Sequence, residues 1–384
     1  MTNKEKYRKF CEKEKNIPIF SKDWWLDTVC QESDWDVVLF EKGGEIWASL
    51  PYQKTKKAIF EIITMPKLTQ TMGVYIKYPP KQKYYKKLSW EKEVMEILIS
   101  NLPKVDYFSQ NFHHFITNWL PFYWAGFEQT TRYTYIIENI SIEELEKNFE
   151  TDIRRRRRKA YEIGIEIIES EDIETFYKLN TMTFARQNID ISYSFEFVKN
   201  LFEKCKENSA VKMYFAKYQD EVIAVNFLVY DDNTVYYLMG GIDPSKKDLG
   251  AMDAIQFESI KFALESGRRF DFEGSMIESI EKYFRSFGAI QTPYFSISKT
   301  NSKLLKITAI LIVVLVSFIY ISAQLKGVGI IFSRIFQIDL STALLIGMCI
   351  TLLYAFIGGM KNIAYTQIAQ YIIILFSFMT PIFF

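Results

Sequence analysis

The chain has 384 residues, enough for two or three domains, and its 47 Lys+Arg nearly balance its 46 Asp+Glu, so net charge singles out no class of partner. Cys11, Cys30, Cys205 and Cys349 show no CxxC spacing; they point to neither a disulfide framework nor a zinc site and fit a reducing cytoplasm. The charge is uneven: from Leu304 to Phe384 the only charged residues are Lys306, Lys326, Arg334, Asp339 and Lys361, which implies two solvents for one polypeptide.

The start, MTNKEKYRKFCEKEKN, is charged and has no apolar core, so it does not read as a secretory signal. From Trp35, WDVVLFEKGGEIWASLPY alternates apolar and polar residues around Gly43-Gly44 and predicts a hairpin. GVYIKY and YTYIIE read as strands, and WEKEVMEILISNL carries helical spacing, so residues 1–140 are expected to be mixed α and β. His113 and His114, the two histidines of the chain, sit in an aromatic stretch and read as packed or half-exposed rather than catalytic. No His or Cys pattern suggests a metal site.

Ser141 with Glu144 is a capping-box pair, and one helix is expected from there through DIRRRRRKAYEIG to Gly164, a plausible stop. IEIIES follows as a strand, DIETFYKLNTMTFARQN and SFEFVKNLFEKCKEN as amphipathic helices, and KMYFAKYQDEVIAVNFLVYDDNTVYYLMGG as three consecutive strands. DLGAMDAIQFESIKFALESG puts Met252, Ile255, Ile260, Ala263 and Leu264 near one helical face and stops at Gly267; RRFDFEGS is a short strand and SIEKYFRSFGA a last helix. Three apolar segments end the chain, Ile307 to Ala323, Leu340 to Ile357 and Ile368 to Phe384. A spanning helix needs about 20 apolar residues, so three membrane spans are expected. The lysines at 299, 303 and 306 predict a cytoplasmic N-terminal part and an outer loop from Lys326 to Asp339.

Two local signals bear on chemistry. Arg154 to Arg158 with Lys159 form a basic run; since helix residues advance about 100° each, these surround the axis instead of lining one face, and a solvated helix competes with a tRNA or anionic-membrane contact. In LMGGIDPSKKDLGAMDAI a strand ends in Met239, Gly240 and Gly241, a basic loop carries Lys246 and Lys247, and Gly250 opens a helix. Free amides at a helix start bind anions, and glycine lets a phosphate approach the backbone; a diphosphate-bearing donor suits such a loop, and so does an ordinary turn.

The order of meander, helix, strand and helix resembles the acyl-CoA N-acyltransferase (GNAT) fold, and FDFEGSMIESIEKYFRSFGA is similar to the closing segment of its FemAB-like branch, where two such domains sit in tandem. IPIFSKDWWLDTV, LPYQ, MPKLTQTMG and WAGFEQTTRYTYII look like further stretches of that branch, so the resemblance covers residues 15–305. It implies an α/β (α+β) architecture, with a GNAT-like half at 1–140, a second at 141–305 and a transmembrane segment at 306–384. It further implies an enzyme that passes an acyl group from acyl-CoA, without a metal, to a small-molecule or lipid-linked amine. In some relatives the donor is aminoacyl-tRNA and the acceptor a cell-wall precursor. Glu273 is then a candidate base or acceptor-binding carboxylate, Tyr283 a candidate acid, and Met239 to Gly241, Lys246, Lys247 and Gly250 candidate donor contacts. The chain departs from the pattern at Phe284, where GNAT proteins usually place the tyrosine, and at Arg285, where FemAB-like relatives commonly have lysine.

YISAQLKGVGIIFSRIF and LLYAFIGGMKNIAYTQIAQ resemble consecutive spans of the sodium:solute symporter family, with Gly358-Gly359-Met360, Gln324 and Gln370 as the matching features and Gln367 where that family often has Asp. This implies a membrane protein in which an acyltransferase is tethered, or alternatively a fragment or fusion of a symporter. A third reading, nucleic-acid binding through the arginine run, predicts salt-sensitive RNA binding.

Overall fold

A computed structural model of the chain describes residues 1–30, 34–186, 190–350, 352, 353, 356 and 368. It divides into two compact units, Met1–Ser302 and Lys303–Phe384.

The first unit opens with α1 (Asn3–Lys13), started by reciprocal capping between Thr2 and Glu5, and α2 (Asp23–Val29). β1 (Trp35–Lys42) and β2 (Glu45–Lys57) form the expected hairpin; Gly43 and Gly44 turn it at φ of 64° and 80°, a region glycine enters without a Cβ penalty. β3 (Phe60–Thr64), β4 (Tyr75–Ile76), α3 (Tyr84–Ser100), β5 (Tyr107–Asn111), α4 (Leu120–Trp124) and β6 (Glu128–Ile137) follow. Val94 and Leu98 of α3 are fully buried against Leu50 and Phe108, which is why this helix has an inner face.

The expected single helix from Ser141 to Gly164 is two. Ser141 does cap α5 (Ile142–Asn148), its side chain accepting the Glu144 N–H. The chain then becomes extended at Phe149 and Glu150 before α6 (Thr151–Glu162). Phe149 is 2% exposed, its ring edge-on to Phe257 at 6.0 Å and Phe287 at 5.4 Å; burying an aromatic side chain is worth roughly 2 kcal/mol and outweighs continuing the helix. Gly164 ends α6 at φ 86°, as expected. β7 (Glu166–Glu169), α7 (Ile173–Arg186) and α8 (Phe195–Glu207) lead into the meander β8 (Val211–Tyr218), β9 (Glu221–Tyr230) and β10 (Thr234–Ile242). α9 (Ala251–Glu265) buries Ile255, Ile260 and Ala263; β11 (Arg269–Asp271), α10 (Glu278–Arg285) and β12 (Ile290–Thr300) close the unit.

These strands form one sheet in the order β1-β2-β3-β5-β12-β6-β11-β10-β9-β8-β7, with β4 on β2. The sheet crosses residue 140 without a break, because β6 pairs with β11 and β12 while β12 also pairs with β5. β10 and β11 run parallel, and their register ends at Tyr236 opposite Asp271. β10 continues to Ile242 with a bulge between Tyr237 and Met239, so the two strands part there.

In the second unit, α11 (Lys303–Phe336) is a single helix. Its stretch Ile307–Phe336 has a mean hydropathy of 2.3 and is long and apolar enough to cross a membrane. The outer loop expected from Lys326 to Asp339 is therefore corrected: Lys326 and Arg334 lie within α11, and the break comes only after Phe336. No proline interrupts 323–336, and glycines at 327 and 329 weaken a helix by only about 1 kcal/mol each. α12 (Leu340–Ile350) is shorter. Among the described residues one helix passes the length and hydropathy test, so three spans are not established. The end of the second expected span and nearly all of the third, with Gly358, Gly359, Met360, Lys361, Gln367 and Gln370, lie outside the described residues.

Candidate functional site

A cleft of about 580 Å³ enters the first unit beside the start of β11. Its walls come from the segment after α1 (Glu14, Asn16), from residues flanking β4 (Met72, Lys77, Tyr78), from the loop after β5 (His113, Phe115) and from Arg269. At its base a polar chain runs into the protein. His113 is 5% exposed, and its Nε2 lies 3.4 Å from the Tyr236 hydroxyl, which donates to Oδ2 of Asp231 at 3.3 Å. That carboxylate also accepts the N–H groups of Ile19, Asn233 and Thr234 at 3.0, 2.9 and 2.9 Å, so the histidine stands on a fixed support. The His113 ring lies against His114 and Phe115, centroids 4.2 and 4.3 Å apart.

Arg269 sets the charge of this region. Its guanidinium is 4.6 Å from the Phe115 ring, 3.5 Å from His114 Nε2 and 3.6 Å from Glu138. Burial, then His114 and Arg269, hold the His113 imidazole well below its usual range. Burial and Arg269 take His114 down to about 4. Both imidazoles are neutral at pH 7, as packed histidines should be, and Arg269 faces Lys77 and its 3.5 Å partner Glu14 across the cleft as the fixed charges.

Two residues beyond Arg269 the strand ends at Asp271, and Glu273 follows just after it, both buried. Asp271 accepts the Thr134 hydroxyl and the Glu273 N–H, the latter at 2.8 Å. Burial pushes Asp271 up to about 6. Burial and the neighbouring Asp271 carry Glu273 well above a normal carboxyl, its Oε2 has no hydrogen-bond partner among the described residues, and its backbone is left-handed at φ 64°. Burial and Asp271 thus bias this carboxyl toward its protonated form. Tyr283 packs elsewhere, in the cluster of Phe272, Phe284 and Phe287, edge-on to Phe287 at 5.1 Å; burial and Asp253 raise its phenol well above the tyrosine range. Neither Glu273 nor Tyr283 lines the cleft.

The glycine-bearing loop has structural duties of its own. A Cβ on Gly241 would stand 2.5 Å from the backbone of Leu179 and Asn180, one on Gly240 2.1 Å from the Tyr237 hydroxyl, and one on Gly250 2.3 Å from the carbonyl oxygen of Arg156. Tyr237, 6.2 Å from Phe284 of α10, thus lies over Gly240 where β10 has left β11, beside the buried Met239. Lys246 and Lys247 stand at the start of α9 behind Gly250, which is left-handed at φ 81°. These glycines are required by the chain's own close contacts, which leaves Lys246 and Lys247 as the residues of this loop that could meet a phosphate. The gap between the strands, filled by Tyr237, does not fit the pantetheine arm of coenzyme A as packed.

Residues 147–285 match the family model described as an acetyltransferase (GNAT) domain, and residues 279–384 match that of the sodium:solute symporter family. One stretch of the chain is thus similar to a GNAT domain and the next to part of a symporter. The first unit is similar in fold to the crystal structure of FemX, with a TM-score of 0.58 at 14% identity over 77% of this chain and 96% of that one. The C-terminal domain of a putative lysylphosphatidylglycerol synthetase from Agrobacterium fabrum aligns at 11% identity and a TM-score of 0.47, over 78% of this chain and 92% of that one. An uncharacterized symporter of Cupriavidus necator is 30% identical over 106 residues, 26% of this chain; the chain spans 16% of that relative's length.

In the stretch that matches the GNAT model, β10, α9, β11 and α10 occur in the order that the sequence resemblance implied. The symporter match begins within α10, yet β12 downstream of it is a full member of the first unit's sheet. The arginine run divides as helical geometry requires. Arg156 pairs with Asp253 at 2.6 Å and Arg157 with Glu146 at 2.8 Å, Arg157 also lying 3.9 Å over the Phe257 ring. Arg155 and Arg158 make exposed pairs within α6. Arg269, Tyr236 and Asp231 were not singled out from the sequence. The signal available was a second arginine before FDF, and nothing local ties it to histidines 155 residues away.

Proposed function

We propose that the GNAT-like unit is an N-acyltransferase that joins an acyl group to an amine. The observation that carries this reading is the parting of the parallel strands β10 and β11 beyond Tyr236 and Asp271, with a cleft opening at Arg269, at the other end of β11. An amine attacks the donor carbonyl, a C–N bond forms, the C–S or C–O bond to the donor breaks, and the proton lost by the amine must be taken up. Backbone N–H groups of β10 near Met239 to Gly241, on the edge no longer covered by β11, stand where an oxyanion needs fixed donors. Glu273 is assigned as the acid–base group: its carboxyl gives a proton to the leaving thiolate or alkoxide, and the carboxylate so formed takes the proton that the amine loses; Tyr283 is kept as a second candidate acid. The cleft seats the acceptor, a small or lipid-linked amine bearing negative charge to meet Arg269 and Lys77, such as a cell-wall precursor.

Acyl-CoA is the donor in this reading, its phosphates at Lys246, Lys247 and the start of α9, with Tyr237 turned aside to admit the rest. Residues 1–140 and 141–305 are taken as the two GNAT-like halves, cytoplasmic and tethered through the apolar helix of the second unit. The deciding experiment measures thermal stabilisation of the detergent-solubilised chain by acetyl-CoA and coenzyme A. A rise in Tm supports the assignment; no rise at millimolar ligand rejects an acyl-CoA donor and leaves charged tRNA as the one to assay. A second reading, a piece of a symporter carrying an acyltransferase-like domain, is favoured by the match over 279–384. It predicts sodium-dependent uptake by vesicles containing the chain.

A further inference from the structure

The surface of the first unit holds one patch that its own stability does not explain. α3 and α4 lie side by side, with Lys92 Nζ 5.3 Å from the Trp124 ring. Tyr84, Tyr85, Leu120, Tyr123 and Trp124 on these helices are each 47–74% exposed. Scattered apolar residues are normal on a surface, but neighbouring aromatics of this size mark a contact site. Around them, the stretch 81–92 carries five lysines and a single acid, Glu91. That acid is 4% exposed and already accepts the Tyr78 hydroxyl at 2.9 Å and the Asn118 amide at 2.8 Å. Lys83 occupies the N-cap of α3, the first turn has no acidic residue, and no side chain caps it. Lys87 and Lys92 pair within α3 with Glu91 and Glu96 at 3.9 and 3.8 Å, but positive charge at a helix N-terminus opposes the helix dipole, so Lys83 and Lys86 do not serve the helix start that carries them.

Tyrosine and tryptophan rings beside lysines are the composition of a surface that sits at a membrane–water boundary, where rings enter the headgroup zone and ammonium groups meet lipid phosphates. We infer that the exposed face of α3 and α4 docks on an anionic lipid bilayer. The occupant is argued from charge complementarity and from the chain's own apolar helix at 307–336, which is suited to a membrane. The patch also adjoins the cleft: Lys87 lies 4.6 Å over the Tyr78 ring, and Tyr78 lines the cleft with Lys77 and Phe115, which is itself 49% exposed. Docking on this face brings lipid headgroups to the cleft mouth. That the acceptor is carried by a lipid rests on the acyl-transfer reading; the docking itself does not.

All seven tryptophans lie in the first unit and Trp124 is the last of them, so bromine quenching of intrinsic fluorescence reports on this unit alone. The full chain is reconstituted into vesicles of brominated phosphatidylcholine, with or without phosphatidylglycerol, and emission is compared. Stronger quenching in the phosphatidylglycerol vesicles is expected, with loss of the extra quenching on Trp124→Phe and its weakening by salt or by Lys83→Glu with Lys86→Glu. Quenching that ignores lipid charge, or that is unchanged by Trp124→Phe, overturns the inference. So does a dimer in detergent that dissociates on Trp124→Ala, which assigns the face to a second copy. None of these readouts depends on catalysis, so failure of the docking and failure of the acyltransferase assignment are separable.

Discussion

The guanidinium Nε of Arg156 on α6 lies 2.6 Å from Oδ2 of Asp253 in the first turn of α9, and this pair ties the arginine run to the helix behind the candidate donor loop. The Asp253 side chain is 6% exposed and that of Arg156 is 38% exposed. Removing the arginine strands a buried carboxylate. With allowance for the solvent on the Arg156 side, Arg156→Ala is expected to destabilise by about 2 kcal/mol, read as a lower urea midpoint. Arg155→Ala and Arg158→Ala should change stability by less than about 0.5 kcal/mol. Arg156→Ala combined with Asp253→Asn should recover part of the loss.

Gly250 separates packing from ligand binding. At φ 81°, with the Arg156 carbonyl 2.3 Å from where a Cβ would stand, Gly250→Ala is expected to cost about 2 kcal/mol or more through strain and overpacking. Gly267 is also left-handed, at φ 72°, but has nothing within 4 Å of its Cβ position; Gly267→Ala should cost only about 1 kcal/mol. Equal melting temperatures for the two variants would show that the α6 contact is not what demands glycine at 250.

The carboxyls of Asp271 and Glu273 give a pH dependence with a definite sign. Both are raised in the folded state, Asp271 to about 6 and Glu273 well above its usual value, so the folded chain binds more protons than the unfolded one. Their contribution to stability is therefore full below about pH 4, falls as pH rises through 6, and continues to fall where Glu273 loses its proton. Asp271→Asn with Glu273→Gln should flatten this decline in melts between pH 5 and 8. Glu273→Gln alone should abolish transfer while leaving the Tm at pH 7 within a few degrees. Undiminished transfer would remove Glu273 from the reaction.

Tyr237 governs access between the parted strands. Tyr237→Ala removes a half-buried ring and should destabilise by about 2 kcal/mol, but it also opens the gap over Gly240. The stabilisation by acyl-CoA, measured as a Tm increment over each protein's own baseline, should be larger for this variant than for the native chain. Equal increments would mean that the ring is not in the donor's way.

Much of the first unit was legible because its signals are local. The Gly43-Gly44 hairpin, the stops at Gly164 and Gly267 and the three-strand meander each follow from periodicity or from a backbone conformation that one residue type prefers. The break at Phe149 was not legible, since the ring's partners Phe257 and Phe287 lie more than a hundred residues downstream. The pairing of β12 with both β5 and β6 was invisible for the same reason, and so was the cleft, which depends on that pairing to bring Arg269 beside His114.

By itself, then, the amino-acid order determined the alternation of strands and helices, the GNAT-like succession after residue 140 and the change to an apolar composition near residue 304, because apolar spacing and turn chemistry act over a few residues. Only the tertiary structure decided that Gly240, Gly241 and Gly250 admit the chain's own atoms, that burial raises the proton affinity of Glu273, and that a cleft opens beside Arg269. Those outcomes depend on desolvation and close contact between segments far apart in sequence, and neither exists until the sheet has closed.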